Sequence, residues 1–407
     1  MMKTVVVIGT FDTKGAELRY VQGIIERSGL ATLLVDAGVL GKEPNVDISQ
    51  VEVAEAGGKS LAELLEKKDR GEAITIMANG AATLAQKLHA QGKVQGIISL
   101  GGSAGTTIGA AAMRALPVGI PKVMVSTLAS GDTRPYVGTK DICMIYSVVD
   151  IAGLNRLSKT ILGNAARAIV GMVANAEEEK VDDKPLIGTT MFGVTTPCVT
   201  AAREYLESKG YEVLVFHATG AGGRAMEDLI YDGFITGSLD ITTTEWCDEL
   251  IGGVMGAGPD RLEAAGKMGI PQVVSLGALD MVNFGPKETV PEKFKDRRLY
   301  VHNPTVTLMR TEPDECAQLG RIIAEKLNAA TGPTALVVPL KGVSLIDKEG
   351  QPFHHPKANE ALFAAIRQNL DPKVKLIEID TDLNDPEFSL SLAKLMEEMM
   401  EQWGAMA

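Results

Sequence analysis

The sequence predicts an α/β protein of two Rossmann-like domains, with mostly parallel sheets facing an interdomain cleft. Three observations carry this. The 407 residues exceed one core of ordinary size, so two domains of roughly 180 to 220 residues are expected. Glycine is abundant (43 residues) and aromatics make up only 4%, a composition that suits strands buried on both faces with tight loops at their ends. Short β-branched runs alternate with helical patterns through both halves of the chain.

In the first half, strands are expected at 4–10, 31–37, 73–78, 94–100 and 121–128. Helices are expected near 14–28, 58–70, 80–92 and 105–116, with an acidic, variable stretch at 42–56. Such alternation with short connections reads as a doubly wound sheet. An apolar segment at 139–152 and a long helix at 154–176 follow. The charged run Glu177 to Pro185 reads as a linker, which sets the domains at 1–180 and 181–407. The second half repeats the grammar, with strands at 186–193, 212–220, 235–241, 272–276, 298–302, 334–339 and 374–380. An amphipathic helix at 386–403 is expected to pack back on the first domain.

The net charge of −12 argues against an extended nucleic-acid partner, because that affinity rests on a Lys/Arg excess. The basic cluster Lys293 to Arg298 reads as a solvated turn. Cys143, Cys198, Cys247 and Cys316 lie far apart, with no metal-ribbon or disulfide spacing, which fits a reducing cytoplasm. No apolar run reaches about 18 residues, so no membrane span is expected, and the first residues show no signal segment.

Two loops carry most of the chemistry. After the first strand, Gly9 allows a sharp exit, Thr10 and Thr13 offer hydroxyls, and Lys14 brings an ammonium to a helix start. Asp12 is a candidate Mg²⁺ ligand, or a group that bonds backbone amides. After 94–100, Gly101, Gly102, Ser103, Gly105 and Thr106 combine backbone room with hydroxyls at a helix N-terminus, which is how α/β sheets receive phosphate. Asn79 and Gly80, Asp36, and Ser126 with Thr127 are further strand-end candidates. Asp36 stands where a ribose-binding carboxylate lies in dinucleotide folds. The GxGxxG fingerprint is absent from the first turn. A Walker A assignment of Gly58-Lys59-Ser60 fails because Val53 holds the first glycine's place, so this segment reads as a helix start.

Gly9-Thr10-Phe11-Asp12-Thr13-Lys14, the Gly101 to Thr106 loop and His217-Ala-Thr-Gly-Ala-Gly-Gly-Arg-Ala-Met-Glu227 together resemble the Tm-1-like ATP-binding family, also called UPF0261. The resemblance covers nearly the whole chain. It implies two Rossmann-like halves, MgATP in the first domain and a homodimer, and it implies no known reaction.

In the second domain, His217 and Arg224 flank an anion-friendly Gly-rich loop. Glu245, Asp280, Lys341 and His354 end other apolar runs. With His217 and Arg224 they form the expected catalytic set. The adjacent His354 and His355 point different ways, so no shared metal site is expected. The function expected is therefore an MgATP-binding enzyme acting on a small anionic metabolite in the interdomain cleft. The alternatives are an ATP-responsive regulatory protein and, by fold analogy alone, a sugar-nucleotide epimerase or glycosyltransferase-like activity.

Overall fold

The computed structural model describes residues 2–41, 44–176 and 184–405. The chain divides into two compact units, Met1–Lys180 and Val181–Ala407. Each is an α/β unit built on a parallel sheet. Most of the linker expected at 177–185 lies outside the described residues.

The first unit holds β1 (Thr4–Gly9), β2 (Ala31–Asp36), β3 (Gly96–Gly101), β4 (Lys122–Ser126) and β5 (Cys143–Tyr146). They pair in the order β2-β1-β3-β4-β5, all parallel. Alternation along β1 divides the core. Val5 and Val7 face helices Phe11–Arg27 and Arg156–Ala174, packing on Leu18, Ile25, Leu162 and Ile169. Val6 and Ile8 face helices Gln50–Ala56, Arg70–Ala90 and Ser103–Arg114, packing on Val53, Met77, Ala81 and Ile108. Burial on both faces is why the central strands read as unbroken apolar runs. The chain reverses its winding between β1 and β3, and at such a switch point the outgoing loops splay apart and leave a crevice at the carboxyl ends of the strands.

The strand expected at 73–78 is instead helix. Arg70–Ala90 is one 21-residue helix, started by the Asp69 carboxylate, which accepts from Glu72 N at 3.0 Å. Ala73, Met77, Ala81, Ala85 and Leu88 are buried along it at helical spacing. A short apolar run such as Ile74 to Met77 has no period of its own, and the cap decides its fate. Ser60, of the Gly-Lys-Ser sequence, caps helix Leu61–Lys67 through a reciprocal pair with Glu63.

The second unit contains β6 (Leu186–Met191), β7 (Glu212–His217), β8 (Gly237–Thr242), β9 (Gln272–Gly277), β10 (Met281–Phe284), β11 (Leu299–Asn303), β12 (Val306–Arg310), β13 (Thr334–Pro339) and β14 (Lys375–Ile379). Six form a parallel sheet in the order β14-β13-β9-β8-β6-β7. The antiparallel sheet β10-β12-β11 is inserted between β9 and β13. Helix Pro386–Gly404 packs in its own unit: Phe388, Leu392 and Met396 share a core with Val199, Leu206 and Val273. Its apolar stripe is buried there.

Gly80 has a packing role. A Cβ there would fall 1.8 Å from the Val53 carbonyl oxygen, so the glycine lets helix Arg70–Ala90 lie against helix Gln50–Ala56. Gly80→Ala is expected to destabilise the protein by about 1–3 kcal/mol through overpacking, read as a lower urea midpoint at an unchanged slope.

Candidate functional site: an amphipathic cleft in the first unit

A cleft of about 790 Å³ opens at the carboxyl ends of β1, β2 and β3. Its floor is polar. Gly101 and Gly102 lead from β3 into helix Ser103–Arg114, and Gly102 provides no side-chain cap for the first N–H groups of that helix. Those donors, at the positive end of the helix dipole, line the cleft through Ser103, Ala104 and Gly105. A Cβ on Gly101 would meet the Gly105 Cα at 2.8 Å, so the tight turn needs glycine. On the β1 side, the Thr10 and Thr13 hydroxyls pair at 2.9 Å. The Lys14 ammonium donates to the Ile151 carbonyl, and Lys14 itself departs from helical geometry (φ −128°, ψ 19°).

The far wall consists of aliphatic side chains: Leu64 and Leu65, Ala73, Ile74 and Met77, with Val39 and Leu40 from the turn after β2. Lys68, Asp69 and Arg70 stand exposed at the rim. This wall was not foreseen in the sequence. Its signal was the Leu64-Leu65 and Ile74 to Met77 pattern, hidden by reading the second segment as a strand.

Of the expected ligand-binding residues, Thr10, Asp12, Thr13, Lys14, Gly101, Gly102, Ser103 and Gly105 line the cleft. The others do not. The Asp36 carboxylate is buried and accepts from Phe11 N (3.1 Å) and Gly38 N (2.9 Å), fixing the turns after β1 and β2. The Thr106 and Ser126 hydroxyls are buried and bonded to each other at 2.7 Å, and Ser126 also accepts from Leu128 N. Gly9 packs on Leu18, and Thr127 lies beneath Gly102 without lining the cleft. Asn79 and Gly80 are inside a helix rather than at a strand end. Asp12 Oδ2 accepts from Val39 N (3.0 Å) and Leu40 N (2.7 Å) and so holds the turn after β2, while its Oδ1 is buried without a hydrogen-bond partner. Among the described residues, no group of three or more His, Cys, Asp and Glu side chains is placed to hold a metal ion.

In the second unit, the Gly-rich loop after β7 is filled by the protein itself. Glu245 Oε1 accepts from Gly220 N (2.7 Å) and Gly223 N (3.1 Å) at the start of helix Ala221–Tyr231. Its other oxygen takes Arg261 Nε at 2.7 Å, and the same guanidinium bonds Asp240 and Glu227. All four side chains are buried. The anion-receiving loop expected beside His217 and Arg224 is thus occupied by Glu245. Arg224 donates to the carbonyls of Ala257 and Gly256, while His217 is exposed and its Nδ1 lies 3.0 Å from the Met191 carbonyl.

The remaining members of the expected catalytic set lie elsewhere. Asp280 is buried and accepts from the Ser344 hydroxyl at 2.8 Å. Burial, with the Asp347 charge beside it, pushes its carboxyl up against the pull of Arg310. Lys341, exposed and paired with Asp380 at 2.8 Å, shares a second cleft of about 760 Å³ with His354. Asp248 is a buried carboxylate that the sequence did not single out. It accepts from Asn283 Nδ2 (2.7 Å) and Met255 N (3.2 Å), yet burial pushes it up to about 7.

The fold and the cleft define a two-unit, doubly wound α/β protein with a strand-end crevice in its first unit. The chain belongs to UPF0261: residues 3–178 match the model described as "Uncharacterised protein family (UPF0261) N-terminal domain", and residues 184–400 match that of the C-terminal domain. It is 58% identical to a UPF0261 protein of Clostridium tetani, over 99% of this chain and all of that one. It is 42% identical to the ToMV susceptible protein tm-1(GCR26) of Solanum lycopersicum, over 98% of this chain and 56% of that one.

Among solved structures, it is similar to a putative UDP-N-acetylglucosamine 2-epimerase from Listeria monocytogenes (TM-score 0.23, 11% identity, 67% of this chain and 79% of that one). It is also similar to MurG of Acinetobacter baumannii (TM-score 0.23, 14% identity, 98% and 94%). These comparisons correct the expectation of an MgATP enzyme. Some of the matched structures are titled for a UDP-sugar, and the family descriptions name no activity. ATP, magnesium and the homodimer expected with them are set aside.

Two outcomes test the second unit. Glu245→Ala removes the acceptor of two buried N–H groups and one partner of a buried guanidinium, so unfolding should become about 3–5 kcal/mol easier in urea. For Asp248, the folded carboxyl titrates near 7 and the unfolded one near 4, so the folded state binds more protons between these values. Its contribution therefore weakens stability as pH rises from about 4 to 7, and Asp248→Asn should reduce that fall in denaturation curves taken across the range.

Proposed function

We propose that the first unit binds a phosphorylated small molecule, with the phosphate over Gly101–Gly105 and the rest of the ligand along the cleft. The observation that carries this is the uncapped helix start at Gly102 opening into a roomy crevice at the switch point of the sheet. Thr10, Thr13 and Ser103 supply hydroxyls to the same floor, and Lys14 supplies an ammonium close by. Arg70 and Lys68 add positive charge at the rim. The tied carboxylate of Asp12 keeps the turn after β2 in place. Nucleotide sugars, the substrate class named for some of the matched enzymes, are the first ligands to try. The setting is a reducing, cytoplasmic one. Among the described residues no helix is long and apolar enough to cross a membrane, and the four cysteines are free.

Gly102→Val tests this, since a Cβ at Gly102 meets nothing closer than Thr127 Oγ1 at 3.8 Å. Inorganic phosphate, UDP and UDP-N-acetylglucosamine would be titrated in a thermal-shift assay. At about 100 times its dissociation constant, a bound ligand should stabilise the native chain by about 2.7 kcal/mol. The variant should melt where the native chain does and lose the ligand shift. An undiminished shift in the variant would move the phosphate away from this loop.

A further inference from the structure

The second unit carries a cleft of its own. It measures about 760 Å³ and lies at the carboxyl ends of β13 and β14, walled by the loops that leave those strands and by one face of helix Pro356–Asn369. Asn359, Glu360, Phe363 and Arg367 recur on that face at helical spacing, which is how a single helix supplies a whole wall. Part of the lining is apolar: Phe363 is buried, and Leu340 packs on the same core.

Charge around this lining is mixed and unbalanced. Three permanent cations, Lys341, Lys348 and Arg367, share it with five carboxylates. Arg367 is committed to Glu360 (2.9 Å) and to Glu378 on β14 (2.7 Å). Lys341 pairs with Asp380 at 2.8 Å, but both side chains are more than half exposed, and such a pair gives way readily to a competitor. Lys348 Nζ stands 3.8 Å from Asp382, past hydrogen-bond length, so no protein group fills its three donors. The remaining carboxylates, Glu349 and Asp385, have no cation paired with them among the described residues. Beside Asp380 and Asp382, the Thr381 hydroxyl is out of solvent with no hydrogen-bond partner, a group that the fold itself leaves over.

These groups specify a ligand by its charges. A carboxylate suits Lys341 and Lys348, whose own pairs are solvent-washed or loose. The carboxylates without a cation call for positive charge on the ligand, and Phe363 with Leu340 suits methylenes between the charges. We infer that this cleft binds a basic amino acid of the lysine class, an α-amino acid with a second ammonium at the end of an aliphatic chain. Its carboxylate lies on Lys341 and Lys348, and its ammonium groups lie among Glu349, Asp382 and Asp385. The site is independent of the cleft in the first unit, and neither reading depends on the other.

The test is calorimetry on the full chain with L-lysine and analogues that each lack one charged group. Cadaverine lacks the carboxylate, 6-aminohexanoate the α-ammonium and L-norleucine the ε-ammonium. L-lysine should bind most tightly, and each deletion should raise the dissociation constant about tenfold, which is about 1.4 kcal/mol. Lys348→Met, at a position whose ammonium bonds no protein group, should melt where the native chain does, weaken L-lysine to the level of cadaverine and leave cadaverine no weaker. Cadaverine binding as tightly as L-lysine overturns the carboxylate contact and the amino-acid reading with it. L-norleucine binding as tightly as L-lysine overturns the second cation. L-lysine affinity unchanged in Lys348→Met moves the ligand out of this cleft, and binding by none of the four compounds overturns the site, while the phosphate reading of the first unit stands apart from all of these results.

Discussion

A backbone N–H taken out of water needs an acceptor, and the two units meet that demand at their strand ends in opposite ways. In the second unit, the carboxylate of Glu245 fills the start of helix Ala221–Tyr231. In the first unit, the start of helix Ser103–Arg114 has a glycine where a cap would be and opens into a crevice. The same doubly wound logic thus yields one filled helix start and one open helix start. The difference lies in one side chain, Glu245, reaching back from the helix after β8.

Closing the second unit's site draws a network around it. Once Glu245 is buried it requires a cation, and Arg261 supplies one. The guanidinium has donors to spare, which Asp240 and Glu227 take. Glu227 in turn accepts from the backbone of Leu262 and Ala264, fixing the turn before helix Ala264–Met268. Gly223 is tied to the same arrangement, since a Cβ there would lie 2.0 Å from Glu245 Oε2. A loop that reads in sequence as an anion receptor is one, and its anion is internal. In the first unit the carboxylates Asp12 and Asp36 hold turns in place, and neither covers the helix start at Gly102.

The sheets were largely legible in the sequence because parallel strands buried on both faces must be apolar throughout, and Thr4 to Gly9 or Gly96 to Gly101 hardly read otherwise. The segment Ala73 to Met77 misled for the same reason: an apolar run of that length fits a strand or one side of a helix. The cap at Asp69 was the deciding cue. The polar half of the cleft was also legible, since the Gly101 to Gly105 chemistry is local. The aliphatic half was not, because it depends on the angle between two helices set by a left-handed turn at Lys68. The Glu245 network escaped for a different reason. Its members lie between 227 and 261, and no spacing rule joins an arginine to carboxylates on separate elements. Of the residues offered as a catalytic set, Glu245 fills a helix start, Asp280 is buried against Ser344, Arg224 holds two backbone carbonyls, and Lys341 shares a cleft with His354.

The central claim is that the strand-end helix start of the first unit is open to an external anion while its counterpart in the second unit is filled. Amide NMR of a deuterated, ¹⁵N-labelled sample titrated with inorganic phosphate tests it most directly. Saturable shifts are expected at Gly102, Ser103, Ala104 and Gly105, with Gly220 and Gly223 unmoved. Shifts at Gly220 and Gly223 with none at Gly102 to Gly105 would contradict it.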